Sequence, residues 1–242
     1  MIRAVTFDCW GTLLTDRDFA RATSTRVNAL LEHAGGKLSF EQASELLDRA
    51  WKTHYDQWVA GCHYGAEGMA DFCVSELGSP REMAAALCAA FEDAAAEGDV
   101  EPLPGAVETL RGLREAGLRT ALVCDTGFTP GRMVRRFLAE LGLDEHLEFL
   151  AFSNEVGVPK PHERMFRTAL DAIGVAPEDA VHVGDLRRTD IAGAQAAGMR
   201  AIRIRAVTDD VNPQYPEADE IVDDHRQIPA ALVRLGAELP GV

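Results

Sequence analysis

Strands alternate with helices through the second half of the chain, the first strand ends in an aspartate, and a long stretch between them carries helical patterning alone. These observations predict an α/β fold: a parallel sheet with helices on both faces, interrupted by an inserted all-helical domain. The first element is the β-rich run over 2–7, which ends in Asp8-Cys9-Trp10-Gly11-Thr12. It reads as a buried strand with a carboxylate at its C-terminal tip, the edge where open parallel sheets take their ligands. From Thr15 to about Gly98 the pattern is helical, over 18–34, 39–60, 65–77 and 79–96, with Gly-Gly, Gly and Gly-Ser-Pro breaks between helices and no strand signal. After Glu101-Pro102-Leu103-Pro104-Gly105 the alternation returns: helix 105–116, strand 119–124, helix 130–141, strand 147–152, helix 162–173, strand 180–184, helix 189–197 and strand 200–204. A short strand at 220–222 and a helix over 226–236 close the chain, and the polar, proline-bearing stretch 206–219 is a surface loop. The domains expected are therefore 1–14 with 99–242 for the α/β part and 15–98 for the helical part.

Composition limits the partners. With 24 Lys and Arg against 39 Asp and Glu the formal charge is −15, which disfavours nucleic acid and anionic membranes, since both are bound through clustered positive charge. Small anionic substrates remain open. At 47% hydrophobic and 26% charged, the 242 residues suit a soluble globular protein with a substantial core. Cysteines at 9, 62, 73, 88 and 124 are odd in number and form no C-x-x-C pair, the pattern of reduced thiols in a cytoplasmic chain. No signal peptide is expected from the first eight residues. The most apolar stretch, 83–91, is far short of the roughly 20 residues that span a membrane.

Chemistry concentrates at the strand ends. Parallel strands bring their C-terminal ends together, so Asp8 and Asp185, of Val183-Gly184-Asp185, can meet although far apart in sequence, and Asp190 follows five residues later. Either aspartate alone would be a helix N-cap; together they call for a hard divalent cation such as Mg²⁺, which takes carboxylates, carbonyls and water. Lys160 lies in Val158-Pro159-Lys160-Pro161, where the prolines favour an extended loop after a strand. A compact positive charge there can neutralise a carboxylate and a transferring phosphoryl group. Strand 119–124 runs into Cys124-Asp125-Thr126-Gly127, where backbone N–H groups and the Thr126 hydroxyl can hold anionic oxygens.

In this order, Asp8-Cys9-Trp10-Gly11-Thr12-Leu13, Cys124-Asp125-Thr126, Lys160-Pro161 and Gly184-Asp185 with Asp190 resemble the four motifs of the haloacid dehalogenase superfamily. The resemblance covers nearly the whole chain, and the helical insertion looks like that superfamily's subclass I cap. It implies a Rossmann-like core and an enzyme in which Asp8 attacks the substrate and water later hydrolyses the aspartyl intermediate. Asp8, the carbonyl of Trp10 and Asp185 would hold Mg²⁺; Asp190 would support the metal or Lys160; Lys160 would steady Asp8; and Cys124, Asp125, Thr126 and Trp10 would line the substrate. The expected activity is that of a Mg²⁺-dependent phosphatase acting on a small phosphorylated metabolite.

Two positions depart from the family pattern. Trp10 stands where family phosphatases carry the general-acid aspartate, and indole donates no useful proton, a loss of about 10²–10⁴-fold for poor leaving groups. Cys124 stands where Ser or Thr is usual. An aromatic residue at position 10 is also the pattern of 2-haloacid dehalogenases, whose halide leaves unprotonated, but Gly184-Asp185 favours a metal and phosphoryl chemistry. A phosphonate-cleaving relative would use a cap lysine, for which Lys37 and Lys52 are the candidates, and a weakly catalytic binding or regulatory protein is a further alternative. In the cap, Trp51, Tyr55, Trp58 and Cys62 make an aromatic stripe expected to pack the cap's own helices or, in part, to face the core as a wall for an aromatic or bulky substrate. His54, Asp56, His63 and Tyr64 are candidates for the missing proton donor, and Arg187 and Arg188 are either anion selectors or surface ion pairs.

Overall fold

The computed structural model describes residues 1–239. In chain order the elements are β1 (Ala4–Phe7), β2 (Leu14–Asp16), α1 (Phe19–Ala34), α2 (Phe40–Val59), α3 (Gly65–Glu76), α4 (Ala84–Asp93), β3 (Val100–Pro102), α5 (Ala106–Glu115), β4 (Arg119–Cys124), α6 (Gly131–Glu140), β5 (Phe149–Phe152), α7 (Ser153–Val156), α8 (Glu163–Ile173), β6 (Ala180–Gly184), α9 (Ala192–Ala196), β7 (Arg200–Ile204), β8 (Glu220–Val222) and α10 (Ile228–Arg234). They form two compact units, one of Met1–Thr15, Glu101–Asp125 and Phe137 onward, the other of Asp16–Val100 and Thr126–Arg136.

The first unit is built on a six-stranded sheet in the order β5-β4-β1-β6-β7-β8, parallel at every pairing. β1 is central because its residues are small or apolar and buried on both faces, as a doubly covered parallel sheet requires. The chain builds outward from β1 through β4 to β5 and then through β6 to β7 and β8, so the strand order reverses at β1. That places Asp8 in the crevice where such sheets bind ligands. On one face α8 contributes Met165, Phe166, Ala169, Leu170 and Ile173, at helical spacing, to a core shared with Ala4, Ala121, Val123 and Ala180. Each fully buried Leu, Ile, Phe or Met there stabilises by about 1.5–3 kcal/mol. α5 packs against β4 and α10.

In the second unit α1–α4 share a core of Val27, Leu30, Leu46, Leu47, Met69, Leu87, Phe91 and Phe128. α2 begins in a capping box, Ser39 accepting from the Gln42 N–H while Gln42 accepts from that of Ser39. Its buried face is Ala43, Leu46, Leu47, Ala50 and His54. The aromatic stripe therefore does not form the buried face: Trp51 is 41% and Tyr55 52% exposed, and Cys62 is exposed. Small aliphatic residues pack where helices approach closely, and the bulkier rings are left at the margin.

The elements also depart from expectation at short pieces. β2 and β3 pair as a two-stranded sheet that the sequence did not announce, three residues being too few for a period. The carboxylate of Asp16 accepts from the N–H groups of Asp18 and Asp99. A Cβ at Gly98 would come within 2.6 Å of that carboxylate, so glycine keeps the joint closed. The helix expected over 79–96 is a 3₁₀ turn at Arg81–Met83, α4, and a second 3₁₀ turn at Ala94–Glu97. The helix expected over 189–197 opens as a π-turn, Arg187–Ile191, before α9.

Candidate active site

Asp8 follows β1 directly, its N–H donating to the Val183 carbonyl at 2.9 Å, which fixes the end of β1 against β6. The loop beyond closes on itself: the N–H groups of Thr12, Leu13 and Leu14 reach the Cys9 carbonyl and that of Gly11 the Leu14 carbonyl, while the Trp10 carbonyl takes none of these bonds. Gly11 has φ of 79°, and a Cβ there would lie 2.7 Å from Asp185 Oδ2. A side chain is excluded twice over, by conformation and by the carboxylate. Asp185 follows β6, and Asp190 sits in the π-turn with its Oδ2 accepting from the Leu186 N–H at 3.0 Å and the Thr189 hydroxyl at 3.3 Å. Gly184 is obligatory in this register, since its Cβ would fall 2.4 Å from that of Asp190.

Lys160 completes the cluster. Its Nζ donates to Asp8 Oδ1 and to Asp190 Oδ1, each at 2.6 Å, and all three residues are buried. Its backbone N–H donates to Asp125 Oδ1 at 2.8 Å, so the Asp125 carboxylate anchors the loop that delivers Lys160. Burial alone would depress the Lys160 ammonium, but Asp190, Asp8 and Asp125 around it hold it well above 10.5 and therefore charged. Burial alone would likewise raise Asp190, yet Lys160 and His182 keep it well below its ordinary 3.8. For Asp8 burial prevails and pushes the carboxyl up, Lys160 opposing. Asp185 is pushed up to about 8, by burial first and then by the charges of Asp8 and Asp190.

Carboxylate oxygens of Asp8, Asp185 and Asp190 lie within 4.8 Å of one another. Lys160 is paired with Asp8 and Asp190, and among the described residues no ion pair reaches Asp185. A hard all-oxygen donor set with an uncompensated carboxylate, and a glycine where a Cβ would intrude, fits a magnesium-sized cation.

The other sequence candidates are distributed as follows. Trp10 is half-buried, its ring edge-on to Phe137 with centroids 6.5 Å apart. Cys124 is buried, its thiol directed at the Asp125 carbonyl at 3.3 Å; hydrogen bonding with Cys9 and then burial hold it protonated, well above 9.0. Thr126 is buried and opens the segment that packs in the helical unit. Arg187 donates to the carbonyls of Tyr215 and Pro216 and pairs with Glu217, which commits it to the surface loop. Lys52 pairs with Asp56 on the surface of α2, and Lys37 is exposed, whereas a Schiff-base lysine is activated in a desolvated pocket. His54 accepts from the Gly65 N–H and is lowered to about 4 by burial and by His63. His63 is also lowered, and Tyr64 raised, by burial, so neither histidine is an imidazolium acid at neutral pH.

Beside this cluster lie two buried polar residues that the sequence did not single out, Thr6 and His182, although each interrupts an otherwise apolar strand. Thr6 Oγ1 lies 2.8 Å from His182 Nδ1, and His182 Nε2 lies 3.4 Å from Asp190 Oδ1.

Carboxylates and a lysine gathered at the switch point of a parallel sheet place this chain among α/β proteins whose active site lies at the carboxyl edge of the strands. The family model described as haloacid dehalogenase-like hydrolase matches residues 2–198, and the chain belongs to that family. It is 31% identical, over 99% of both chains, to the glyceraldehyde 3-phosphate phosphatase of Methanopyrus kandleri. Its fold is similar to that of a HAD phosphatase from Thermococcus onnurineus, with a TM-score of 0.71 at 23% identity over 98% of this chain and 100% of that one. The 2-haloacid dehalogenase of Pseudomonas syringae pv. Tomato DC3000 is similar at TM-score 0.69 and 25% identity, with 98% and 100% covered.

Proposed function

We propose that the chain is a Mg²⁺-dependent phosphatase of small phosphorylated metabolites, with Asp8 as nucleophile and the helical unit as the family's cap. The observation that carries this reading is the buried bridge of Lys160 Nζ between Asp8 and Asp190, next to an Asp185 that no ion pair reaches among the described residues. Asp8, the Trp10 carbonyl and Asp185 would hold the Mg²⁺, which when bound offsets negative charge on the phosphoryl oxygens. Lys160 orients the Asp8 carboxylate and supplies fixed positive charge where the transition state spreads negative charge. An Asp8 oxygen bonds to phosphorus as the ester P–O bond breaks, the leaving oxygen takes up a proton, and water then releases phosphate and restores Asp8. The Methanopyrus relative, a glyceraldehyde 3-phosphate phosphatase, favours a triose-phosphate-sized substrate, and the protein would work in the cytoplasm.

Trp10 supports a second reading, carbon–halogen hydrolysis, because halide needs no proton and a 2-haloacid dehalogenase shares the fold at 25% identity. One panel separates the two: phosphate esters, glyceraldehyde 3-phosphate among them, and 2-haloacids, each with and without Mg²⁺. Metal-dependent phosphate release supports the first reading and metal-independent halide release the second. Asp8→Asn should abolish either activity while the circular dichroism spectrum is unchanged; full activity in that variant refutes the nucleophile. Trp10→Asp should raise turnover of alkyl phosphates more than of aryl phosphates.

A further inference from the structure

The chemistry above leaves two polar side chains in the sheet unused. Thr6 and His182 are register partners on the neighbouring parallel strands β1 and β6, so their side chains project to the same face, and both are fully buried. Phe166 of α8 stands edge-on to the imidazole, with centroids 5.0 Å apart and planes at 89°. Gly193 gives Phe166 its room, since a Cβ there would lie 2.6 Å from the Phe166 ring. The imidazole is thus confined between a hydroxyl at Nδ1 and a carboxylate at Nε2.

The polarity of that chain follows from its ends. Asp190, ionised beside Lys160, can only accept hydrogen bonds. An imidazole with its Nε2 lone pair facing Asp190 Oδ1 at 3.4 Å would set two acceptors against each other, so Nε2 carries the proton. Among the described residues the Thr6 hydroxyl has no hydrogen-bond partner other than Nδ1, at 2.8 Å, so its proton is directed there and Nδ1 offers the lone pair. We infer that Thr6 and His182 form a positioning relay: the Thr6 hydroxyl locks His182 in the Nε2–H tautomer, and His182 aims the Asp190 oxygen that holds Lys160 against Asp8. Neither residue touches substrate. The catalytic consequence rests on the proposed role of Asp8, whereas the tautomer does not.

The test is ¹⁵N–¹H NMR of the histidine side chains, assigned through His182→Gln, together with steady-state turnover of p-nitrophenyl phosphate in Mg²⁺. The full-length protein should show His182 with a pyrrole-type Nε2 and a pyridine-type Nδ1. Thr6→Val, which keeps the shape and removes the donor, should shift the ring toward the Nδ1–H tautomer and lower kcat about 10-fold with KM unchanged. His182→Gln, whose amide N–H can reach Asp190, should retain more activity than His182→Leu. An Nδ1–H tautomer in the unmodified protein, or a Thr6→Val variant with tautomer and kcat unchanged, overturns the relay. Full activity of Asp8→Asn alongside the expected spectra would overturn the nucleophile and leave the relay standing.

Discussion

Asp185 should make the metal-free protein lose stability as pH rises, and Asp185→Asn should abolish that loss. The carboxyl is pushed up to about 8 in the folded chain by burial and by the charges of Asp8 and Asp190, from an ordinary 3.8. Between those values the folded state keeps a proton that the unfolded chain has released. The favourable contribution is therefore complete below pH 3.8 and falls by about 1.4 kcal/mol per pH unit until pH 8, reaching roughly 4 kcal/mol at pH 7. Urea denaturation in EDTA at pH 5, 6, 7 and 8 should show Asp185→Asn gaining on the parent protein at that slope. Magnesium should narrow the gap, stabilising the parent by about 2.7 kcal/mol at a hundredfold excess over its Kd and the variant far less. A difference between the two proteins that stays flat with pH in EDTA, or equal stabilisation of both by Mg²⁺, would refute the account of Asp185 as a carboxylate waiting for a cation.

Gly11→Ala should weaken Mg²⁺ binding by at least about 10-fold in calorimetric titration, because the new methyl meets Asp185 Oδ2 at 2.7 Å, and should cost about 1–2 kcal/mol from the positive φ. Lys160→Met should destabilise by about 3–5 kcal/mol in urea denaturation, with part of the loss recovered on acidification, since it leaves Asp8 and Asp190 as buried carboxylates without their cation. His54 is lowered to about 4, from 6.5. Its contribution is therefore complete above pH 6.5 and is lost as pH falls to 4, by up to about 3 kcal/mol, and His54→Gln should remove that acid-side slope from the stability profile.

The sheet and its reacting edge were legible because their signals are extreme. Asp8, Asp185 and Lys160 are charged residues abutting apolar strands or fixed between prolines, and few structural roles compete for such positions. Thr6 and His182 carried a weaker signal of the same kind. A polar residue within a strand can simply be satisfied by a neighbour, and only the register of β1 on β6 shows that these two satisfy each other. The aromatic stripe on α2 packs only in part, Trp51 stacking on Phe128 of the same unit while Tyr55 is exposed. Residue size does not say which face packs, and Ala43, Ala50 and His54 lie inside. Residues 126–136 belong by contact with the helical unit, an association that arises from tertiary packing and leaves no period in the sequence.

The excess of acidic residues and an anionic substrate are reconciled at one edge of the sheet. Three carboxylates face one ammonium there, so the cluster carries surplus negative charge before any substrate arrives. Burial prevents water from screening that surplus, and Asp185 answers by holding its proton to about pH 8. A phosphoryl group would meet net repulsion at such a site unless a cation were bound first. Lys160 offsets only part of that surplus, because its Nζ is shared between Asp8 and Asp190, whose mutual placement it fixes. On the proposed function the lysine organises the carboxylates and a bound cation would admit the anion. A formal charge of −15 is thereby compatible with the proposed phosphorylated substrate, and the proposed need for a divalent ion has the same origin.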